Sequence, residues 1–186
     1  NKPENMLEIW DEKLAEYAEI ICRYRIEFIE KLNNKIKKIH SEVTENKEKL
    51  EIKYITECEN KKNYLSLLKQ RRKLDIIKGF TTKGIHRDDF KCFINDKEIE
   101  IYGSQGQHRT AILSLKLAEL YVIYDEIGEY PILLLDDFMS ELDEKRRKSF
   151  LSYIKDTQVI ITCTDKMELD NIKLFNVING EICKII

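Results

Sequence analysis

The 186-residue sequence lacks the features that mark several broad classes of protein. Only two prolines occur, so little interrupts its helical segments. Five widely spaced cysteines form no Cys-x-x-Cys pair, which suggests neither a disulfide framework nor a zinc site and fits a reducing cytosol. No apolar run approaches the roughly 20 residues that cross a bilayer, and no signal-peptide pattern opens the chain. We therefore expect a cytoplasmic protein without a membrane span.

Charge is abundant but balanced. Charged residues make up 35% of the chain and hydrophobic residues 42%, yet the formal net charge is only −2. This composition is typical of a globular protein with long solvated helices. Any contact with nucleic acid must then come from local clusters of Lys and Arg, because the overall field gives no attraction. Asn1 is not an initiator methionine, and an amphipathic pattern begins within a few residues of it, so we expect the chain to start inside a larger protein.

Hydrophobic periodicity predicts a mostly helical extension over residues 1–78. Apolar residues recur at steps of three and four over 5–40, as in an amphipathic helix. The period changes to two within 48–57, which indicates a half-buried strand. Helical spacing resumes over 60–77 and ends at Gly79.

The remaining residues, 79–186, predict an α/β lobe. Its expected parts are a hairpin of strands 90–94 and 98–101, a long helix, a strand buried on both faces, a polar helix, a second buried strand and two terminal strands. The long helix is expected over 107–127, the first buried strand over 132–135 and the polar helix over 143–155. The second buried strand is expected over 158–162, and the two terminal strands over 173–178 and 181–185. Buried strands separated by helices are typical of the α/β class.

Two acids follow the first buried strand. Leu133, Leu134 and Leu135 lead directly into Asp136 and Asp137, which places carboxylates at the C-terminal edge of a strand, where α/β sheets bind ligands. This is the pattern of a Walker B motif. Asp136 would hold Mg²⁺, and Asp137 would polarise the attacking water. The alternative is that both acids simply end the strand in a turn.

A second motif comes directly after these acids. Ser140, Glu141, Leu142 and Asp143 match the D-loop that crosses the dimer interface of ABC and SMC ATPases, and Asp143 is also a credible helix N-cap. A plain capped loop would look the same.

A small-residue loop precedes the long helix. Ser104, Gln105, Gly106 and Gln107 stand where unpaired helical N–H groups and the helix dipole can hold an anion. Ser104 can donate its hydroxyl to a phosphate, Gly106 allows close backbone approach, and Gln107 can cap the helix or contact a ribose. A simple helix cap is the other interpretation.

The phosphate-binding half of an ATP site is missing from the sequence. No Gly-x-x-x-x-Gly-Lys-Ser/Thr occurs, so nothing can wrap the β- and γ-phosphates. We expect this chain alone to bind ATP weakly or not at all and not to hydrolyse it. Micromolar binding in calorimetry would contradict that expectation.

The basic residues indicate a function less clearly than the motifs above. Lys69, Arg71, Arg72 and Lys73 form a dense run that can neutralise DNA phosphates or simply be a solvated helix face. The segment 86–89, which includes Arg87, can contact nucleotide, DNA or a dimer partner, or form a buried salt-bridge cluster.

These motifs together resemble the RecF family of bacterial recombination mediators. The resemblance is specific over 79–164, where the segment 84–89 is similar to that family's Gly-Pro-His-Arg-Asp-Asp with Ile85 in place of Pro, and weaker before it. It implies the C-terminal lobe of an ABC/SMC-type ATPase head with a helical arm, lacking the Walker A motif. It also implies ATP and Mg²⁺ in a full-length homodimer, with neither expected in this chain alone.

The same resemblance implies partners and a task. RecF proteins bind gapped or single-stranded DNA junctions and help RecO and RecR to load RecA. Ser104 to Gln107 would then act in trans, and Thr162 and Thr164 would stand at the switch position that follows the next strand. Two alternatives stay open: a non-catalytic DNA- or protein-interaction module, and a part of another SMC-like ATPase.

Overall fold

The computed structural model describes residues 2–137, 142–164, 172–178 and 180–185. The helices are α1 (Lys2–Val43), α2 (Lys61–Lys78), the single-turn α3 (Ile99–Tyr102), α4 (Gln105–Ile127) and α5 (Glu144–Tyr153). A 3₁₀ turn covers Ile85–Arg87. The strands are β1 (Leu50–Ile55), β2 (Asp89–Ile94), β3 (Lys97–Glu98), β4 (Leu133–Asp136), β5 (Val159–Thr162), β6 (Leu174–Ile178) and β7 (Glu181–Ile185). The mixture of helices and sheets agrees with the α/β class.

The strands of the described residues form three small sheets. The antiparallel order β1–β2–β3 sets Leu50 opposite Ile94 and Ile55 opposite Asp89. The parallel pair β4–β5 sets Asp136 opposite Thr162, so the candidate Walker B acid and the candidate switch residue share one sheet edge. β6 and β7 form an antiparallel hairpin.

The main core joins elements that are distant in sequence. Ile36 of α1, Leu50 and Ile52 of β1, Leu117 of α4 and Phe150 of α5 are all at most 2% exposed and belong to one apolar cluster. A second cluster, with Ala15, Ala18, Tyr64 and Leu68, holds the first half of α1 against α2. Residues before and after position 78 therefore share a core through the C-terminal half of α1.

The hairpin differs from the sequence prediction in its second strand. Asn95 and Asp96 have φ angles of 49° and 66°, as a tight type I′ turn requires, so the predicted turn is confirmed. However, β3 ends at Glu98, and 99–102 form a helical turn instead of a strand. The turn buries Ile99, which is 5% exposed, and Gly103 N–H donates to the Ile99 carbonyl at 2.7 Å. Burial of one apolar side chain thus outweighs the alternating pattern.

The strand β4 is buried on one face only, in contrast to the prediction of two. Leu135 is 6% exposed and packs on the main core, whereas Leu134 is 70% exposed and its neighbour Ile160 on β5 is 55% exposed. The reason is that α4 and α5 cover a single face of this two-stranded sheet.

No helix in the described part of the chain is long and apolar enough to cross a membrane.

Candidate nucleotide site

The loop before α4 is closed by a reciprocal pair of hydrogen bonds. Ser104 is extended, with φ −73° and ψ 160°, and its Oγ accepts from the Gln107 backbone N–H at 3.2 Å. Gln107 Oε1 accepts from the Ser104 backbone N–H at 2.9 Å. This is a capping box, which satisfies two otherwise unpaired donors and stabilises a helix by about 1 kcal/mol. The sequence Ser-x-x-Gln therefore fixes the loop by local chemistry.

The capped end of α4 presents hydrogen-bond donors to solvent. Ser104 and Gln105 are exposed. Because a serine hydroxyl has two lone pairs and one hydrogen, Ser104 can accept from Gln107 and still donate outward. The 23-residue helix adds a partial positive charge at the same end. Such an end suits a phosphate oxygen.

The two glycines of the loop face different surroundings. A Cβ on Gly103 would lie 2.5 Å from the Ile99 carbonyl oxygen and 2.9 Å from the His108 ring, so this backbone is too close for a side chain. A Cβ on Gly106 would meet only the Arg146 guanidinium, at 3.5 Å, and Ser104 Oγ, at 3.9 Å. Within the described chain, Gly103 is therefore required by packing, whereas a side chain at Gly106 would make only ordinary van der Waals contacts.

The side-chain amide of Gln107 is engaged at both ends. Its oxygen accepts from Ser104 N–H, and its Nε2 donates to Glu48 Oε1 at 2.9 Å. Of the two roles expected for this residue, capping and ribose contact, the structure displays the cap.

The two acids lie at the C-terminal end of β4. Asp136 and Asp137 are both exposed. Thr162 Oγ1 donates to Asp136 Oδ1, and Asp137 N–H contacts Thr162 Oγ1 at 3.1 Å and the Thr162 carbonyl at 3.2 Å. Asp137 has φ +46°, a left-handed conformation that aspartate tolerates better than most residues. The chain thus turns sharply between the two carboxylates. Thr164 is exposed two residues after β5.

Part of the expected D-loop can be located. Ser140 and Glu141 lie outside the described residues. Leu142 is buried in the main core, and Asp143 caps α5 by accepting from Arg146 N–H at 2.8 Å. That backbone hydrogen bond lowers the pKa of Asp143.

Two groups of site residues emerge from these contacts. Arg146, held by Asp143, approaches Gly106, so the capped loop and the start of α5 are neighbours. Asp136, Asp137 and Thr162 form the second group, at the edge of the β4–β5 sheet.

The basic residues divide into exposed and paired ones. Lys69, Arg71, Lys73 and Arg87 are exposed. Arg72 instead joins α2 to α1 through Asp11 at 2.5 Å and Glu8 at 3.7 Å. A surface cleft of about 600 Å³ between these helices includes Lys61, Lys62 and Lys69 in its walls.

The segment 86–89 contains a buried polar cluster that the sequence left as one of several alternatives. The Asp88 side chain is 3% exposed and accepts from Arg25 at 3.3 Å and from the Tyr54 hydroxyl. Burial, and then the bond to Asp88, raise the pKa of Tyr54. Neither Arg25 nor Tyr54 could be recognised from the sequence as a partner of Asp88, because both are more than 30 residues away along the chain.

The fold and these two groups define a class. A capped small-residue loop on a long helix, followed by a half-buried strand that leads into two acids and by a capped helix, is the arrangement of an ABC/SMC-type ATPase lobe. No family model matches the chain.

Known relatives identify the family. The DNA replication and repair protein RecF of Clostridium perfringens SM101 is 47% identical over 191 residues, covering 98% of this chain and 53% of that protein. RecF of Clostridium beijerinckii is 47% identical over 189 residues, covering 96% and 52%. A structure of the recombination mediator protein RecF with ATP, in the RecFOR pathway, has a TM-score of 0.85 and 40% identity, covering 99% of this chain and 51% of that one. A second RecF structure, with an ATP analogue, gives the same TM-score and identity.

The chain belongs to the RecF family. It spans about half the length of the curated relatives that it matches, and the match is consistent with their C-terminal part.

Proposed function

We propose that this segment supplies two components of a composite ATP site within a longer RecF-type protein. Ser104 to Gln107 would cover the γ-phosphate of a nucleotide held by the partner copy of a homodimer. The observation that carries the proposal is the capped N-terminus of α4, where Ser104 is exposed and its hydroxyl, which accepts from Gln107 N–H, still has a hydrogen to donate.

The acids of β4 suit the metal side of such a site. Mg²⁺ prefers oxygen ligands and is commonly bound by one or two carboxylates together with substrate phosphates. Asp136 fits that pattern, since its exposed carboxylate is oriented by the Thr162 hydroxyl. When bound, Mg²⁺ would neutralise phosphate charge. Asp137, turned away by its left-handed backbone, would orient the attacking water.

In the longer protein the ATP-driven homodimer would act in the cytoplasm on gapped or single-stranded DNA, with RecR and RecO as partners. The recombination and repair names of the relatives support this role. The exposed Lys69, Arg71, Lys73 and Arg87 are the residues that we propose for contact with DNA or a partner. Thr162 and Thr164 would sense the γ-phosphate, and Ser140 to Asp143 would cross the dimer interface.

Ser104→Asp in the full-length protein is the decisive test. Aspartate is an equally good N-cap, so α4 should keep its stability, whereas the introduced carboxylate should repel the phosphate. We expect ATP-dependent dimerisation, measured by sedimentation velocity, to be lost while the thermal midpoint stays within a few degrees. Ser152→Asp, at an exposed position on α5, is the control and should dimerise normally. Unchanged dimerisation of the Ser104 variant would leave a non-catalytic interaction module as the better interpretation.

Asp137→Asn tests the water-positioning role. Asparagine tolerates the φ of +46° at this position, so the substitution removes charge without backbone strain. We expect the full-length variant to accumulate as an ATP-bound dimer with hydrolysis reduced at least tenfold. Normal turnover in a steady-state phosphate-release assay would assign the water-orienting role to another residue.

A further inference from the structure

A buried histidine lies at the end of α1, remote in sequence from the capped loop. His40 is fully buried, as is Ser114 on α4, and the His40 Nδ1 atom lies 2.9 Å from Ser114 Oγ. The other ring nitrogen, Nε2, lies 3.3 Å from Glu48 Oε2, in the turn between α1 and β1, but forms no hydrogen bond to any described residue. The ring thus lies where the arm helix, the turn and α4 meet.

Glu48 continues this polar path to the loop. While Oε2 lies beside His40, Oε1 accepts from Gln107 Nε2 at 2.9 Å, and Gln107 Oε1 accepts from Ser104 N–H at 2.9 Å. A parallel path runs inside α4, where Ser114 Oγ donates to the Thr110 carbonyl and Thr110 Oγ1 donates to the Gly106 carbonyl, at 2.9 and 2.7 Å. Both paths connect the end of α1 to the proposed phosphate-binding loop.

Glu48 determines which way the Gln107 amide faces. A carboxylate accepts hydrogen bonds and donates none, so Gln107 must turn its Nε2 toward Glu48 and its oxygen toward Ser104 N–H. The reverse orientation would set two acceptors against each other at Glu48 and two donors against each other at Ser104. The Glu48 side chain is only 22% exposed, which strengthens a charged hydrogen bond relative to water.

The turn that carries Glu48 also contacts α5. Lys145 pairs with Glu45, and the Tyr153 hydroxyl donates to Glu42 at the end of α1. Residues 40–48 therefore contact both the capped loop and α5.

We propose that Glu48 is a positioning residue for the nucleotide-contacting loop. Glu48 touches no nucleotide in this role. It holds the Gln107 side chain in the orientation that accepts from the Ser104 backbone N–H, and so keeps the capped loop in place. The inference rests on the proposed function of Ser104.

A charge swap tests the role in the full-length protein. Glu48→Gln lets the amide at 48 turn either way, and Gln107→Glu alone sets two carboxylates together. Each should weaken ATP-dependent dimerisation about tenfold, as loss of a charged hydrogen bond predicts. The double variant restores one carboxylate, now at position 107, which can accept from both Ser104 N–H and the new amide. Dimerisation should then return to within about threefold of the original. Additive losses in this double-mutant cycle would overturn the proposal.

Hydrogen exchange supplies a readout that does not depend on nucleotide. In Glu48→Gln the protection of the Ser104 amide should fall, whereas the amide of Gly79, bonded to the Asp75 carbonyl at 2.8 Å at the end of α2, should be unchanged. An equal loss at both amides would indicate general destabilisation, and no loss at Ser104 would remove the positioning role.

The nucleotide role of Ser104 and the positioning role of Glu48 can be rejected by different results. If Ser104→Asp leaves dimerisation intact, the nucleotide role of the loop is wrong, whatever Glu48 does. If Ser104→Asp abolishes dimerisation but Glu48→Gln changes neither Ser104 protection nor dimerisation, only the positioning role is wrong.

Discussion

His40 shows how burial sets the protonation of a single side chain. Its pKa is lowered, because burial disfavours the imidazolium more than the nearby Glu48 carboxylate favours it. A neutral ring has one N–H, which Nδ1 can donate to the Ser114 hydroxyl while that hydroxyl donates to the Thr110 carbonyl. The ring is therefore neutral at pH 7 and packs as part of the main core.

This lowered pKa predicts a pH dependence of stability. Above pH 6.5, the ordinary pKa of histidine, His40 is neutral in both the folded and unfolded chain, and its contribution is fully present. As pH falls below 6.5, the unfolded chain takes up the proton first, so the free energy of unfolding decreases until the lowered folded pKa is passed. Urea unfolding at a series of pH values should show this decrease. His40→Gln should lack that component, and His86→Gln, at an exposed position, should retain it.

Site residues that interact with near neighbours in the sequence could be predicted, whereas those whose partners are far away along the chain could not. Asp143 was expected to cap a helix and does so, and Ser104 and Gln107 form a reciprocal cap that depends only on residues three apart. Glu48 could not be predicted, since its partner Gln107 is 59 residues away and no spacing rule connects them.

At the scale of elements, the two glycines at the junction of α3 and α4 differ. Packing leaves no room for a side chain at Gly103, whereas Gly106 has ordinary neighbours. Gly103→Ala should destabilise the full-length protein by roughly 1–3 kcal/mol, because its Cβ would press on the Ile99 carbonyl. Gly106→Ala meets only ordinary contacts and should leave the thermal midpoint unchanged or slightly higher. We expect the Gly106 variant alone to fold normally and yet dimerise poorly with ATP. Equal thermal midpoints of the two variants would contradict this reading of the loop.

Element types were easier to predict than their burial. The periods of α1, α2 and α4 and the strand positions of β1, β2 and β5 followed from the sequence, because each depends on near neighbours. The turn α3 did not, since a single buried Ile99 decided it. The prediction that both faces of β4 are buried was also wrong. A run of leucines shows that a strand is apolar, but it does not show which elements cover the strand.

For the whole molecule, the exposed apolar face of β4–β5 predicts self-association of the 186-residue chain. Leu134 and Ile160 are 70% and 55% exposed and adjacent in register. Contiguous apolar surface of this kind promotes association. Leu134→Thr with Ile160→Thr keeps good strand-forming residues and should shift sedimentation toward monomer. Ile77→Thr, at a position outside this sheet that is 81% exposed on α2, should not.

The domain boundary expected near residue 78 stays a prediction. The packing shows that the two parts share a core. Helix α1 contacts α2 with its first half and α4 with its second, so the arm and the lobe are joined through one continuous helix. Sequence periodicity cannot reveal such sharing, because it reports which face is apolar and not which element covers it.

The shared core of α1 and α4 also bears on how the chain is made. A ribosome releases α1 long before α4, so Ile36 and His40 leave the tunnel before the α4 residues that complete their burial, and β1 can pair with β2 only some 40 residues later. The cluster between α1 and α2 can form from what has already emerged, whereas the contact of His40 with α4 requires that Ser114 has been synthesised. The end of α1 that holds the capped loop is consequently among the last parts of this segment to become native.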